Sequence, residues 1–500
     1  MQPNRRRRIG MLPVSNTLLT AYLLIVFATV ANRAFAQCVQ QELEPNDTCP
    51  VNPFDLASLE EPCTASFGVP VALDRDTLVI GAIESRPNEA SEALRADAYS
   101  AFVFRRVDSE WLQVAKLSAD DAQPIALEIG SFVSVSGDRV VLGSRHDPVD
   151  TESSIGSVYV FRRDGETWSK ESKLVPSDAA AAQGLLFGAS VSISGEVIAV
   201  GAPAAEDAGT FSGAVYVFTR SGTTWVEVAK LVPSDLTRFA GFGLIVAAAG
   251  DRIVASGEYR HSEQDGDETV TGSSGVVYVF RRDGTNWVQE ARLTGAEPSA
   301  FDDTFGDSIS LFGTERIAIG DPRGDIRAAV YFFAREAGSW ALENKITAID
   351  TGAGPLFGSS VSLDDMSAVI GDPSSGNRFP AQPGAAYVFH RSGTNWTHTA
   401  TLVSPHDDIR FGFSDVGSGV AAASNSVFVG EYIFDLTEAN CQPATPPDDA
   451  PSEDGPDSPP FGTGVRPCGA GAVIAIPLMF MMATFLRTPR RSEQRNERDI

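Results

Sequence analysis

Every tryptophan in this 500-residue chain stands seven residues after a phenylalanine that closes an apolar run. The pairs are Phe104/Trp111, Phe161/Trp168, Phe218/Trp225, Phe280/Trp287, Phe333/Trp340 and Phe389/Trp396. Upstream lies a second landmark, a Phe-Gly pair at Phe67-Gly68, Phe187-Gly188, Phe242-Gly243, Phe305-Gly306, Phe357-Gly358 and Phe411-Gly412, with Ile129-Gly130 as a variant. Another glycine follows 13 or 14 residues later, at Gly81, Gly143, Gly201, Gly257, Gly320 and Gly371, and 18 later at Gly430. Seven copies of one unit of about 57 residues constrain the fold more than any single motif, because such units must stack to complete a core.

Within a copy the pattern is four short strands joined by turns. Val191-Ser192-Ile193-Ser194 alternates with period two, and Ser194-Gly195-Glu196 is a tight hairpin before Val197-Ile198-Ala199-Val200. Asp164-Gly165, Ser221-Gly222, Asp283-Gly284 and Ser392-Gly393 supply turn chemistry between strands three and four. A four-stranded meander cannot bury both faces alone, whereas radial stacking does so and leaves only short edges. The expected fold is all-β: a seven-bladed propeller of four-stranded antiparallel blades, with small first-strand residues at the crowded axis.

The motif Phe187-Gly188 followed by Gly201-Ala202-Pro203 resembles the FG-GAP repeat, which builds the seven-bladed head of integrin alpha subunits and of many bacterial surface proteins. The resemblance runs from about Phe67 to Leu436. Integrin-like members bind calcium in the hairpin between strands one and two through a D-x-D-x-D-G run. Here those hairpins read Ser136-Gly137-Asp138, Ser194-Gly195-Glu196, Gly250-Asp251 and Asp364-Asp365, too few oxygens for a cation that needs six to eight. Asp74 and Asp76 come nearest and read as turn residues. No cofactor is expected. Asp302, Asp303 and Asp307, which bracket a Phe-Gly pair, are weak metal candidates, as is the acidic loop Glu263–Glu268.

Copy seven lacks a fourth strand, since Glu431-Tyr432-Ile433-Phe434 follows Gly430 directly and no tryptophan run comes after. A ring must take that strand from elsewhere or leave an open edge. Val39 to Leu43 is a candidate. Cys38, Cys49, Cys63 and Cys441 flank the repeats and are disulfide candidates with three open connectivities, Cys441 being expected to pair with one of the others.

Both ends carry targeting signals. Arg5–Arg8, an apolar stretch from Leu18 to Val30 and Ala34-Phe35-Ala36 form a signal-peptide layout over 1–36, although an uncleaved anchor stays open because Met11 to Asn32 is uncharged. A cysteine-bearing segment (37–66), the propeller (67–441) and a Pro- and Asp-rich stalk (442–466) follow. Residues 467–486 are uncharged and long enough to span a bilayer, and Arg487, Arg490 and Arg491 in the tail (487–500) place that end in the cytoplasm. This tail also resembles bacterial sorting signals, with Pro467-Cys468-Gly469 as the motif and Cys468 as a processing candidate, so retained and processed anchors both stay open. The expectation is an exported protein at the cell envelope or surface, in contact with the membrane through that helix.

The formal charge of −26 argues against nucleic acid as a partner. No G-x-S-x-G, H-E-x-x-H or phosphate loop occurs, and His406 with Asp407 and Asp408 is the sole His/Asp cluster. No catalytic residue is assigned and the expectation is a protein that is not an enzyme. The connection between strands two and three varies most, long at 84–98 and 259–274 and short at 323–327, and lies on the same rim as the blade-to-blade connections. Variable loops on a rigid scaffold carry function. This rim is therefore expected to bind a protein or polysaccharide as an adhesion module. A structural envelope component without a discrete ligand is the alternative, and a propeller enzyme the least favoured one.

Overall fold

The repeats fold as seven four-stranded antiparallel sheets. The computed structural model describes residues 39–43, 63–88, 91–108, 110–118, 132–147, 155–179, 184–262, 270–295, 304–322, 328–351, 353–373, 384–403, 420–423, 426–429 and 432–435. The signal peptide, stalk, apolar tail, Cys38, Cys49, Cys441 and Cys468 lie outside the described residues.

Strand β1 (Val39–Glu42) precedes the first complete blade, which is β2 (Cys63–Asp74), β3 (Thr77–Asn88), β4 (Ser91–Val107) and β5 (Glu110–Leu117). Blade two is β6 (Phe132–Ser136), β7 (Arg139–Ser144), β8 (Ser157–Asp164) and β9 (Thr167–Leu174). Blade three is β10 (Ser190–Ser194), β11 (Val197–Ala202), β12 (Ala214–Ser221) and β13 (Thr224–Leu231). Blade four is β14 (Val246–Ala249), β15 (Arg252–Ser262), β16 (Val270–Asp283) and β17 (Asn286–Leu293). Blade five is β18 (Ser308–Phe312), β19 (Arg316–Asp321), β20 (Ala329–Glu336) and β21 (Ser339–Thr347), followed by one helical turn, α1 (Ala348–Thr351). Blade six is β22 (Ser360–Leu363), β23 (Ser367–Asp372), β24 (Ala385–Ser392) and β25 (Asn395–Val403). Blade seven has β26 (Val420–Ala423), β27 (Ser426–Val429) and β28 (Tyr432–Asp435) from the end of the array.

Its missing fourth strand is β1, which pairs antiparallel with β28, so the segment that the sequence offered closes the ring. The substitution is faithful in detail. In each of the seven blades the strand three to four ladder shifts by one residue, a β-bulge, and the Val39/Gln41 shift of β1 reproduces it. The Gln41 amide then donates to the Trp111 carbonyl (2.8 Å) and accepts from the Trp111 N–H (2.7 Å), so its side chain ties blade seven to blade one like one more rung of ladder.

Seven apolar clusters hold the ring, one between each pair of neighbouring blades. At the closure Leu43, Phe428 and Ile433 meet Leu78, Phe102 and Trp111. A buried Phe or Leu side chain contributes about 1.5–3 kcal/mol, so each interface is worth several such terms. At the axis, first-strand serines bond to the next blade's backbone: Ser134 and Ser136 accept from the Ile193 and Gly195 N–H groups, and Ser192 and Ser194 accept from Ala248 and Gly250. Small polar side chains are used there because only they let successive backbones come this close.

In several copies the two glycines bond within a blade, and the second also meets the first glycine of the next copy. Gly188, Gly243 and Gly358 hold φ near +90°, a conformation that side chains resist. Gly188 and Gly358 donate their N–H to the carbonyls of Gly201 and Gly371 in the same blade. Their carbonyls in turn lie against the preceding blade: a Cβ on Gly143 would stand 2.2 Å from the Gly188 oxygen, and one on Gly201 1.9 Å from that of Gly243. The spacing of 13 or 14 is thus the distance along a hairpin that returns one glycine to the other.

Two expectations for the strand two to three connections are corrected. The long segments at 84–98 and 259–274 are not open loops but β-ribbons, paired from Glu84↔Ala98 to Asn88↔Ser91 and from Tyr259↔Ser274 to Ser262↔Val270. Pairing simply continues along strands already fixed below, despite the lack of apolar alternation. In blade one Phe67-Gly68 accordingly lies inside β2, with Phe67 opposite Ala82, rather than in a turn. Among the described residues no helix is long and apolar enough to cross a membrane.

Candidate functional site

The two rims of the propeller differ in kind. One carries the tight hairpins between strands one and two and between three and four. The other carries the Phe-Gly turns, the ribbons and the blade connections.

The hairpin rim is locked by charge. In blades two, four and five the bulge re-aims a strand-four glutamate toward the following blade. In blade two it is Glu171, which accepts from Arg139 of its own blade (3.0 Å) and from Arg220 (3.2 Å) and the Trp225 indole (3.1 Å) of blade three. In blade four Glu290 accepts from Arg252 (3.0 Å), and from Arg335 (3.1 Å) and Trp340 (3.0 Å) of blade five. In blade five Glu343 is paired with Arg391 of blade six. Burial pushes the Glu171 and Glu290 carboxyls up, but hydrogen bonds from arginine and indole, together with the arginine charges, outweigh it and hold both below the usual range. The sequence reading missed these residues. The available signal was Trp-x-x-Glu at Trp168, Trp287 and Trp340.

The loop rim repeats a different unit, a strand-three tyrosine facing a strand-four cation. Tyr159 donates to Asp147 (2.6 Å), which is fully buried and also accepts from Ser157 (2.5 Å) and pairs with Lys173 (2.8 Å). Tyr216 donates to Asp178 (2.9 Å), while Lys230 bridges Asp178 (2.7 Å) and Asp207 (2.6 Å) and lies 5.0 Å from the tyrosine ring centre. Lys345 stands 4.8 Å from the Tyr331 ring. Burial first, and the neighbouring carboxylate second, push the Tyr159 hydroxyl up to about 12 against the opposing Lys173. Lys230 is raised as well, its partners Asp178, Asp207 and Tyr216 overcoming burial, so it remains a cation and not a neutral amine nucleophile. These groups pin the bases of the loops to the blades.

Between blades three and four the loops are zipped together. The Phe239 N–H donates to the Thr210 carbonyl (2.7 Å), Gly241 to Phe211 (3.0 Å) and Phe242 to Ser212 (2.9 Å).

Most of the metal candidates read from the sequence fall where the structure is not described. Asp302 and Asp303, the Glu263–Glu268 loop and His406 to Asp408 lie outside the described residues, while Asp307 sits in the turn after Phe305-Gly306, its N–H on the Thr304 carbonyl. Among the described residues no group of three or more His, Cys, Asp or Glu side chains is placed to hold a metal ion. Asp74 and Asp76 act as turn residues: Asp74 accepts from the Gly137 N–H (2.7 Å) and Asp76 holds Arg105 (2.5 Å). Of the cysteines, Cys63 opens β2 with its backbone paired to Ser85.

Four-stranded blades, a ring sealed by its N-terminal strand and glycine pairs in the turns of blades three, five and six define a closed propeller of repeated units. Residues 111–161, 168–218, 225–280 and 340–389 match the FG-GAP repeat model, so the chain carries FG-GAP repeats. No curated protein matches its sequence. Among solved structures it is similar to the periplasmic gluconolactonase of Pseudomonas aeruginosa, at 13% identity and a TM-score of 0.39 over 67% of this chain and 84% of that one. It is also similar to a Bacteroides uniformis protein named as a 6-phosphogluconolactonase, at 13% identity and a TM-score of 0.37 over 65% of this chain and 82% of that one. The expectation that the chain is not an enzyme is corrected by these neighbours, since structures named as lactonases stand among those it resembles. The physical reason is that a propeller can assemble a site from single residues on several blades, which linear motifs do not reveal. At this identity no activity carries over from them to this chain.

Proposed function

We propose that this FG-GAP propeller is a ligand-binding module of the cell envelope, exported and held by its C-terminal helix, that contacts a protein or a polysaccharide through its loop rim. The observation that supports it is the contrast between the rims. The hairpin rim is short-turned and locked by Arg–Glu–Trp contacts, whereas the opposite rim extends ribbons from blades one and four and, in blades two and three, carries loop bases pinned by tyrosine, lysine and aspartate. Binding surfaces need such variable segments on a rigid support.

The test is an array of oligosaccharides and envelope proteins probed with the full-length chain. A second variant has its blade-one ribbon cut to the length of the blade-five connection, 323–327. A ligand retained by the wild type and lost by trimming supports the reading. No ligand, or one indifferent both to trimming of this and the blade-four ribbon and to substitution in the other loops of the same rim, overturns it.

A further inference from the structure

Two phenylalanines on the loop rim share an unusual backbone. Phe211, in the connection between β11 and β12, has φ of 52°, and Phe239, in the link from blade three to blade four, has φ of 61°. For a bulky residue the left-handed region is strained, and such strain persists where the surrounding structure over-determines it, often at ligand clamps. The hydrogen bonds that zip these two loops fix both positions. What the strain achieves is a pair of half-exposed rings side by side, centroids 6.2 Å apart and tilted by 32°, with the Arg238 guanidinium 5.7 Å from the Phe239 ring centre.

We propose that the Phe211–Phe239 pair is a binding platform for an uncharged polysaccharide, which rests on the binding-module reading and gives it a ligand class. A pyranose ring presents C–H bonds on its faces, which pack on the electron-rich faces of aromatic rings, and hydroxyls at its edge. Arg238, beside the Phe239 ring, carries forked donors suited to those hydroxyls. Charge narrows the class further: a chain of formal charge −26 repels an anionic polymer. A protein partner fits less well, since stable interfaces bury about 800 Å² per partner around an apolar centre. Among the described residues the large exposed hydrophobic side chains lie on outer strands and the hairpin rim, Val175 excepted.

The probe is an array of uncharged glucan, xylan, mannan and galactan oligosaccharides, with anionic glycans and envelope proteins alongside, followed by calorimetric titration of each hit. The full-length chain is compared with Phe211→Asn and Phe239→Asn. Asparagine tolerates the left-handed backbone, so these variants remove the rings and keep the loops folded, as an unchanged melting temperature will confirm. The expected result is a neutral oligosaccharide whose affinity falls about tenfold in each variant, and which Phe211→Trp retains. A neutral glycan bound equally by all variants overturns the platform but leaves the binding module standing, as does binding only to proteins or anionic glycans. No ligand for the wild type overturns both.

Discussion

Replacing Glu290 by alanine should lower the melting temperature by about 4–6 °C. The carboxylate gathers Arg252 and Arg281 of blade four, and Arg335 and the Trp340 indole of blade five, within one site that is about 10% exposed. Removing it leaves Arg252, itself 5% exposed, with Asp251 as its remaining ion pair, and strips the indole of its acceptor. Breaking a buried ion pair from one side costs about 3–5 kcal/mol. Unfolding entropy is about 2.1 cal/mol/K per residue, which for some 375 residues of propeller gives about 0.8 kcal/mol/K, and the quotient is the stated shift. Calorimetry at pH 7 would measure it. The acidic limb supplies a second reading with a fixed sign. The Glu290 carboxyl is held low in the folded state, so its stabilisation is complete above its unfolded pKa and is lost as pH falls through the folded value. The gap between wild type and Glu290→Ala should therefore narrow below about pH 4. A loss under 1 °C at neutral pH, or a gap that widens in acid, would refute the clamp.

Other outcomes follow from the same geometry. Val228→Glu, at the blade-three bulge, should raise the melting temperature by about 1–3 °C by giving the buried Trp287 indole the acceptor that Trp225 and Trp340 already have; a fall shows that the position cannot be re-aimed. Gly201→Ala puts a Cβ 1.9 Å from the Gly243 carbonyl oxygen and should abolish soluble folded protein, whereas Gly184→Ala, with open space around it, should cost about 1 kcal/mol from its positive φ alone; circular dichroism of both checks this. Gln41→Ala removes both bonds to the Trp111 backbone and should destabilise by about 1–3 kcal/mol in denaturant titration, and an unchanged midpoint would deny the closure its clasp.

How much of this was legible follows from what each feature depends on. Strands, hairpins, the blade count and even the borrowed β1 are written in local alternation and turn residues, and they stand where the sequence puts them. The clamps were hidden because a strand alternates with period two, so a residue three after the tryptophan belongs to the opposite face of a regular strand. The bulge resets that alternation by inserting one residue, and only then do Glu171 and Glu290 face the neighbouring indole. Trp168-Ser169-Lys170-Glu171 taken alone does not announce the extra residue; only the recurrence of Trp-x-x-Glu at Trp287 and Trp340 marks it. The ribbons were hidden for the converse reason: polar sequence such as Glu84-Ser85-Arg86-Pro87-Asn88 has no pattern of its own and takes its pairing from the strands beneath it.

The bulge also explains why the blades need not be equal. Where it carries glutamate, as in blades two and four, the next indole is satisfied. Where it carries Val114 or Val228, the indoles of Trp168 and Trp287 lie buried without an acceptor, each forgoing about 1–3 kcal/mol. Blade six departs again, since Trp396 stacks on Phe332 at 4.4 Å and its indole nitrogen finds no acceptor although Glu343 holds Arg391 nearby. The ring is thus tightest at the two-to-three and four-to-five interfaces and looser at one-to-two and three-to-four. The Phe211–Phe239 pair straddles the three-to-four interface. A strained pair of loops is best placed there, where the two blades are joined chiefly by apolar contact and by the loops' own backbone bonds, and where a ligand held by both rings would supply the cross-blade tie that Val228 does not.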